Sequence, residues 1–274
     1  MTKPNLSSIG TLALVGAGKM GGAMLQGWLA LGLDPKKVTV FEPSPAPEIL
    51  ALAENGVTIN PPPGAIANPQ VAILAVKPQV APDAMTSVAK AVGANTLVIS
   101  IMAGRTLSFL EQHLPGVAIV RAMPNTPAAI GRGITVAVPN PKVSAAQRKI
   151  ANDLLAASGS IEWVDDEKLI DAVTAVSGSG PAYIFLLAEA LGKAAVAAGL
   201  PQPLADKLAR ETVSGAGELL HQSPLDPETL RKNVTSPGGT TAAALEILMG
   251  PDGLEKLMRE AVAAAAKRSR ELAG

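Results

Sequence analysis

Three glycines near the amino terminus have the spacing of a site for a nucleotide pyrophosphate. Gly16, Gly18 and Gly21 form the pattern G-x-G-x-x-G in LALVGAGKMGGAM, between an apolar run typical of a strand and a helical segment. The first glycine permits a tight turn, the second lets the backbone approach the phosphates, and the third lets the helix pack on the strand. The pattern therefore predicts a dinucleotide site at a helix N-terminus, and a glycine-rich turn without a ligand is the alternative.

Two polar residues that follow the next predicted strand bear on the choice of dinucleotide. Glu42 ends KVTVFE and Ser44 lies in EPSPAP. A carboxylate in this place accepts a hydrogen bond from a ribose 2′-hydroxyl and repels a 2′-phosphate, which favours NAD. Ser44 would instead bond a phosphate, and a solvated strand-end carboxylate is the plain alternative for Glu42. We expect NADH to be used well and NADPH to be accepted.

Two further motifs also follow predicted strands. LAVKPQ contains Lys77 and Pro78, and RAMPNTP contains Asn125 between two prolines. Ligands of open α/β sheets lie beyond the carboxyl ends of the strands, so we expect both motifs near the cofactor. Lys77 would neutralise phosphate or substrate charge, unless it is an ordinary surface lysine, and Asn125 would offer an amide.

These motifs require a sheet that brings strand ends to one edge. In the first half of the chain, short apolar strands alternate with helical segments, which predicts a mainly parallel sheet covered on both faces. After about Ile161 the chain reads as long Ala- and Leu-rich helices with broad apolar faces. We predict an α/β domain over 1–164 and an all-helical domain over 165–274, with a dimer formed through the second domain.

Composition excludes several classes of protein. The 23 Lys and Arg residues balance 23 Asp and Glu residues without a basic block, and aromatic residues make up 2%, which argues against nucleic acid and anionic membranes. There is no Cys, and only His113 and His221 are present, so we predict no metal site. No uninterrupted apolar run approaches the roughly 20 residues of a membrane helix. We expect a soluble, cytoplasmic protein.

The segment NVTSPGGTT, residues 233–241, places small polar residues directly before a predicted helix. One explanation is a helix cap with Ser or Thr at the N-cap. The other is an anion site, in which Gly238 and Gly239 let backbone N–H groups at the helix start approach a ligand. The segment by itself leaves both explanations open.

Five segments together resemble pyrroline-5-carboxylate reductase, from about Thr11 to about Leu272. They are VGAGKMG, AVKP, MPNTP, DAVTAVSGSGPAY and NVTSPGGTT, in that order, and SGSGPAY and TSPGGTT are far more specific than the glycine pattern. The resemblance implies a Rossmann-like N-terminal domain, a helical C-terminal dimerisation domain and an active site between two subunits. It also implies reduction of 1-pyrroline-5-carboxylate to L-proline with NADPH or NADH, the last step of proline biosynthesis. The oxidoreductase would act on a CH–NH bond as a homodimer or a larger assembly of dimers.

The same resemblance assigns roles to individual residues. The cofactor set comes mainly from the glycine pattern and the strand ends: Gly16, Ala17, Gly18, Lys19, Met20, Gly21, Glu42, Ser44, Ala75, Val76, Lys77, Pro78 and Asn125. The substrate set is Glu167, Asn233, Ser236, Gly239, Thr240 and Thr241. The Thr241 hydroxyl would act in catalysis by bonding the ring nitrogen and orienting the imine. SGSGPAY is interpreted as a mainly structural break between two helices, with Pro181 near the first turn of the second.

The chain departs from the family pattern at two positions. Many members place an Asn near the adenosine, where this chain has Pro62, and Glu42 stands where a phosphate-tolerant residue is often found. Two other functions would also use a dinucleotide-binding domain. A β-hydroxyacid dehydrogenase needs a catalytic lysine on a helix of the second domain, and Lys193 lacks the flanking motif. A non-catalytic dinucleotide sensor would keep the glycine pattern but would not need NVTSPGGTT.

Overall fold

The computed structural model describes residues 4–62, 64–65 and 67–273, with no side-chain description for Ala273. The chain forms two compact units, Met1–Gly178 with Ala266–Gly274, and Ser179–Ala265. These units divide later in the chain than the domain boundary drawn at 164/165. That boundary stays a prediction about the two functional parts of the chain.

The first unit contains a sheet that runs in the order β3-β2-β1-β4-β5-β6-β7-β8. Its strands are β1 (Leu12–Val15), β2 (Val38–Phe41), β3 (Thr58–Ile59), β4 (Val71–Leu74), β5 (Leu97–Ser100), β6 (Ala118–Met123), β7 (Gly133–Pro139) and β8 (Gly159–Trp163). Among the strands of the described residues, β6 and β7 pair antiparallel and the other neighbours pair parallel. The strand order reverses at β1 and β4, and crevices at such reversals bind ligands in open α/β sheets.

Helices flank the sheet in the first unit and make up most of the second. They are α1 (Lys19–Ala30), α2 (Pro47–Leu50), α3 (Ala81–Ala91), α4 (Leu107–His113), α5 (Ala145–Ala156), α6 (Leu169–Val173), α7 (Gly180–Ala197), α8 (Gln202–Gln222), α9 (Pro227–Asn233), α10 (Thr240–Leu248) and α11 (Leu254–Ala273). The predicted α/β fold with a helical C-terminal region is confirmed. The pattern missed α4, α5 and β8, although Ser144 and Gln147 form a capping box that marks the start of α5.

The core of the first unit is aliphatic and lies on both sides of the sheet. Central strand residues such as Leu14, Val40 and Ile73 are fully buried. Trp28 of α1 is also fully buried, and its indole Nε1 donates to the Leu154 carbonyl at 2.8 Å, so its one polar atom is satisfied. This packing holds β1 and α1 in place, and with them the turn that joins them.

The helices of the second unit leave much of their apolar surface exposed. Phe185 and Leu186 of α7 are 68% and 63% exposed, and Ile247 of α10 is 78% exposed. By length and composition alone, the helical stretch Leu169–Ala197 is long and apolar enough to cross a membrane. Little of its most apolar part is buried within the chain. This stretch contains Asp171, Glu189 and Lys193, so it is not the uninterrupted apolar run that a membrane helix would need. Exposed apolar surface of this extent usually marks an interface.

Candidate active site

The turn between β1 and α1 is shaped by its first glycine. Gly16 has φ +92°, and its N–H donates to the Phe41 carbonyl at 2.8 Å. A Cβ at Gly16 would lie 2.7 Å from backbone atoms of Ala75, because the turn rests against the chain that leaves β4. Both the left-handed backbone and the close approach therefore require glycine at this position.

The other two glycines of the pattern have different surroundings. A Cβ at Gly21 would collide with the Gly16 carbonyl oxygen, so this glycine allows α1 to pack on the turn. A Cβ at Gly18 would meet no described atom within 4 Å, so the space in front of this residue is open. Gly18 is the N-cap of α1 and no side chain caps the helix, which leaves first-turn N–H groups to a ligand. The cradle fits a dinucleotide pyrophosphate.

Glu42 contacts the glycine turn directly. Its Oε2 accepts a hydrogen bond from the Ala17 N–H at 2.9 Å, and its Oε1 accepts one from the Ser44 N–H at 3.2 Å. The Asn60 side chain accepts from the Glu42 N–H at 2.9 Å and donates to the Glu42 carbonyl at 2.8 Å. Sequence reasoning missed Asn60, a non-glycine residue at φ +47° directly after β3. Pro62 follows two residues later.

The AVKP segment lies beside the glycine turn at the reversal of the strand order. The Ala75 N–H donates to the Val15 carbonyl at 2.8 Å, and Val76 follows at the carboxyl end of β4. Lys77 is exposed. The Pro78 carbonyl accepts two hydrogen bonds from the Arg105 guanidinium, at 3.2 Å from Nε and 2.7 Å from Nη2. These two hydrogen bonds fix the path of the loop after Lys77. The sequence pattern gave no indication of this role for Arg105.

Asn125 lies at the loop after β6, where its side-chain oxygen has a structural partner. The Asn125 Oδ1 accepts a hydrogen bond from the Ile134 N–H at 2.9 Å, which ties the loop to the start of β7. A cofactor contact from this side chain would therefore come through its amide nitrogen. His113 is likewise engaged locally, with its Nδ1 2.8 Å from the Phe109 carbonyl.

Glu167, the substrate residue assigned to the first unit, is held by two donors. Its Oε1 accepts from the Arg121 Nη1 at 2.6 Å and from the Leu107 N–H at 2.7 Å. The Arg121 side chain is 6% exposed and that of Glu167 is 27% exposed, so the pair reaches from the core towards solvent. Arg121 was missed, although a single charge in the apolar strand AIVRAM is a signal for a buried ion pair.

The start of α10 contradicts one of the two explanations of NVTSPGGTT. Gly239 is the N-cap of α10 and no side chain caps the helix. The alternative of a Ser or Thr cap is therefore wrong. Gly238 has φ +68° and turns the chain into the helix, and a Cβ there would meet no described atom within 4 Å. The first-turn N–H groups of a nine-residue helix are thus left for an anion.

The remaining substrate candidates lie on the same short connection between α9 and α10. Asn233 is the last residue of α9, and Ser236 and Thr240 are exposed while Thr241 is partly buried. Asp226 caps α9 at its start by accepting from the Thr229 N–H at 3.0 Å. This backbone hydrogen bond, joined by one from the Thr229 hydroxyl, lowers the pKa of the exposed Asp226 carboxyl.

The segment SGSGPAY begins with the last two residues of a π-helical turn, Thr174–Gly178, that continues α6. The chain bends at Ser179, and α7 begins at Gly180 with Pro181 in its first turn, as the pattern predicted. A Cβ at Gly178 would lie 2.8 Å from the Met123 Cε, so this glycine packs against the end of β6. The structural interpretation fits Gly178, but not Gly180, where a Cβ would meet no described atom within 4 Å.

The predicted site residues are divided between the two compact units. The cofactor candidates and Glu167 belong to the first unit. Asn233, Ser236, Gly239, Thr240 and Thr241 belong to the second.

Comparison with known proteins identifies the family. The family described as pyrroline-5-carboxylate reductase dimerisation matches residues 167–272. A pyrroline-5-carboxylate reductase of Pseudomonas aeruginosa is 39% identical over 264 residues, which cover 96% of each chain. The chain belongs to the pyrroline-5-carboxylate reductase family. A reductase of this family from Synechocystis is 42% identical over 95% of this chain and 97% of its own.

Solved pyrroline-5-carboxylate reductases have the same fold. The one from Coxiella burnetii superposes with a TM-score of 0.89 at 34% identity, covering 97% of this chain and all of its own. The one from Plasmodium falciparum, with NADP bound, has a TM-score of 0.82 at 29% identity, with 98% and 100% covered. Residues 11–104 match the family described as NADP oxidoreductase, coenzyme F420-dependent. The protein is an NAD(P)-dependent oxidoreductase, and the resemblance seen in the motifs is confirmed.

Proposed function

We propose that this protein reduces the C=N bond of 1-pyrroline-5-carboxylate to give L-proline, with NAD(P)H as the reductant. Family membership supports the reaction, and the open N-terminus of α10 is the observation that carries the substrate site. In the balanced reaction the imine carbon gains a hydride and the ring nitrogen gains a proton, so that C=N becomes CH–NH. When bound, the reduced nicotinamide supplies that hydride.

The substrate carboxylate binds at the start of α10. Backbone N–H groups of the first turn donate to it, and the partial positive charge of the helix N-terminus favours an anion there. Gly238 and Gly239 present no side chain, so the backbone is accessible to the carboxylate. Ser236 and Thr240 flank this turn with hydroxyl groups, and Asn233 precedes it with an amide.

Thr241 acts on the ring nitrogen, and Glu167 is a separate substrate-binding residue in the first unit. The Thr241 hydroxyl, in the first turn of α10, bonds the nitrogen and orients the imine for attack. The Glu167 Oε1 already accepts from Arg121 and Leu107, so its Oε2 is the oxygen that faces a substrate donor.

The first unit holds the cofactor. The glycine turn and the start of α1 bind the pyrophosphate, and Ala75, Val76, Lys77 and Pro78 line the neighbouring strand end at the reversal of the strand order. Arg105 keeps this loop in position through the Pro78 carbonyl. The protein's contribution is to bind, orient and shield the reactants, since the hydride chemistry belongs to the cofactor.

The second unit makes a homodimer, and larger assemblies of dimers would build on it. The exposed apolar side chains of α7 and α10 support this proposal, together with the dimerisation family that matches the region. Burial in a dimer also accounts for the apolar helix Leu169–Ala197 without a membrane. We expect a cytoplasmic enzyme, in keeping with the balanced charge of the chain.

The test is an assay of the purified protein with 1-pyrroline-5-carboxylate and each reduced nicotinamide nucleotide. Consumption of nucleotide and formation of L-proline are expected, and hydroxyacids should give no turnover with the oxidised nucleotides. Thr241→Ala should lower kcat/KM about 5- to 150-fold, since one hydrogen bond in the transition state is worth roughly 1–3 kcal/mol. Thr86→Ala, at an exposed position of α3, is the control. Unchanged activity of Thr241→Ala would remove that residue from the mechanism.

A further inference from the structure

The Glu42 carboxylate is built into the glycine turn. Its two oxygens accept from two main-chain N–H groups, those of Ala17 at 2.9 Å and of Ser44 at 3.2 Å. Ala17 lies between the first two glycines of the dinucleotide pattern. The carboxylate is therefore positioned by the same turn that approaches the cofactor, and a displaced side chain would leave the Ala17 N–H without this partner.

The backbone of Glu42 is also fixed. Asn60 bonds both the N–H and the carbonyl of Glu42, at 2.9 and 2.8 Å, while its own N–H donates to the Val40 carbonyl at 2.8 Å. Asn60 adopts φ +47°, a conformation that Asn tolerates better than most residues. Five hydrogen bonds thus hold Glu42 and its clamp at the end of β2.

The chain segment that follows Glu42 carries no positive charge before Lys77. From Val38 to Val76 the sequence contains no Lys or Arg, and the segment carries Glu48 and Glu54 besides Glu42. Lys77 follows β4, and β4 pairs with β1 on the side opposite β2. Lys19, exposed at the start of α1, is the nearest basic residue in sequence to the glycine turn. Recognition of a 2′-phosphate ordinarily employs Arg or Lys beside the ribose.

We propose that Glu42 makes this enzyme selective for NADH over NADPH. The carboxylate accepts hydrogen bonds from the hydroxyl groups of the adenosine ribose and repels a phosphate on its 2′-oxygen. Asn60 fixes the backbone of Glu42 and the N–H groups of Ala17 and Ser44 hold its carboxylate, so the side chain does not move aside to admit the phosphate. The inference rests on the proposed nucleotide site but not on the identity of the imine substrate.

Direct binding of the nucleotides tests the inference independently of turnover. Isothermal titration of NAD⁺ and NADP⁺ into the full-length protein, at low and high salt, gives the ratio of the two dissociation constants. We expect NAD⁺ to bind roughly tenfold or more tightly than NADP⁺, with a smaller difference at high salt because screening weakens the repulsion. The ratio of kcat/KM for NADH and NADPH should follow the same direction.

Glu42→Gln removes the charge while the amide oxygen still accepts from Ala17. This variant should bind NADP⁺ about tenfold more tightly than the parent protein and NAD⁺ no more tightly than the parent. Glu48→Gln, the same substitution at an exposed position of α2, should change neither constant. Tighter binding of NADP⁺ by the parent, or an equal response of the two variants, would overturn the proposal. Failure to reduce the imine with either nucleotide, while NAD⁺ binds as expected, would contradict the proposed reaction alone.

Discussion

The ion pair between Arg121 and Glu167 links the stability of the first unit to a residue that we propose binds the substrate. Glu167→Gln removes the negative charge and keeps the size of the side chain. The Gln oxygen still accepts from the Leu107 N–H, but Arg121, with a side chain 6% exposed, has no other carboxylate partner among the described residues. Removing one partner of a buried pair typically costs about 3–5 kcal/mol. Glu167 is 27% exposed, so partial hydration reduces the expected loss to about 2–3 kcal/mol.

A loss of this size is measurable by thermal unfolding. For a domain of this size, 1 kcal/mol corresponds to roughly 2 °C, so Glu167→Gln should lower Tm by about 4–6 °C. The measurement uses one protein concentration throughout, because dimer formation makes Tm depend on concentration. Glu48→Gln, at an exposed position, should leave Tm within about 1 °C of the parent value.

The double variant distinguishes a coupled pair from two separate effects. Arg121→Met in the Glu167→Gln background replaces the unpaired cation with an apolar side chain of similar length. We expect the double variant to be more stable than Glu167→Gln alone, since an apolar replacement of a buried pair is often neutral. The coupling is refuted if the losses of unfolding free energy in Glu167→Gln and in Arg121→Met, each measured alone, add up to the loss in the double variant within about 0.5 kcal/mol. A raised KM for 1-pyrroline-5-carboxylate in Glu167→Gln, at a temperature where the protein is folded, would assign the carboxylate to the substrate as well.

Two further predictions concern the nucleotide turn and the division of the site. Gly18→Ala should cost only about 0.5–1 kcal/mol of stability, because its Cβ meets open space and the cost is that of Ala at an N-cap. It should nevertheless weaken NAD⁺ binding about tenfold or more, because the added methyl group faces the pyrophosphate. Gly21→Ala should lower stability by about 1–3 kcal/mol and also weaken NAD⁺ binding, because its Cβ collides with the Gly16 carbonyl. Equal effects of the two substitutions in thermal unfolding and titration would contradict this assignment. The fragment 1–164 should show no reductase activity even when it binds nucleotide, since the proposed carboxylate site lies at the start of α10. Turnover by the fragment would show that the site is complete without the second half of the chain.

The sequence by itself determined the parts of the site that are continuous along the chain. The glycine turn depends on residues within one strand, turn and helix, so its spacing already predicts the geometry that Gly16, Gly18 and Gly21 adopt. The SPGG turn before α10 is local in the same way, and its glycines made a backbone open to an anion one of two explanations. The alternation of short apolar strands with helices predicted the α/β fold, because buried parallel strands are apolar on both faces.

Only the tertiary structure decided which distant residues meet. Glu167 contacts Arg121 and Leu107 because β6 and the start of α4 bring a side chain and a backbone N–H to the same carboxylate oxygen. Glu42 bonds Ala17 and is clamped by Asn60 because β1, β2 and β3 are neighbours in the sheet. The absence of a side-chain cap at Gly239 is also a result of three-dimensional placement, since Ser236, Thr240 and Thr241 all offered hydroxyl groups nearby. Strand order and side-chain direction determine such contacts, and neither is encoded in the spacing of residues within one segment.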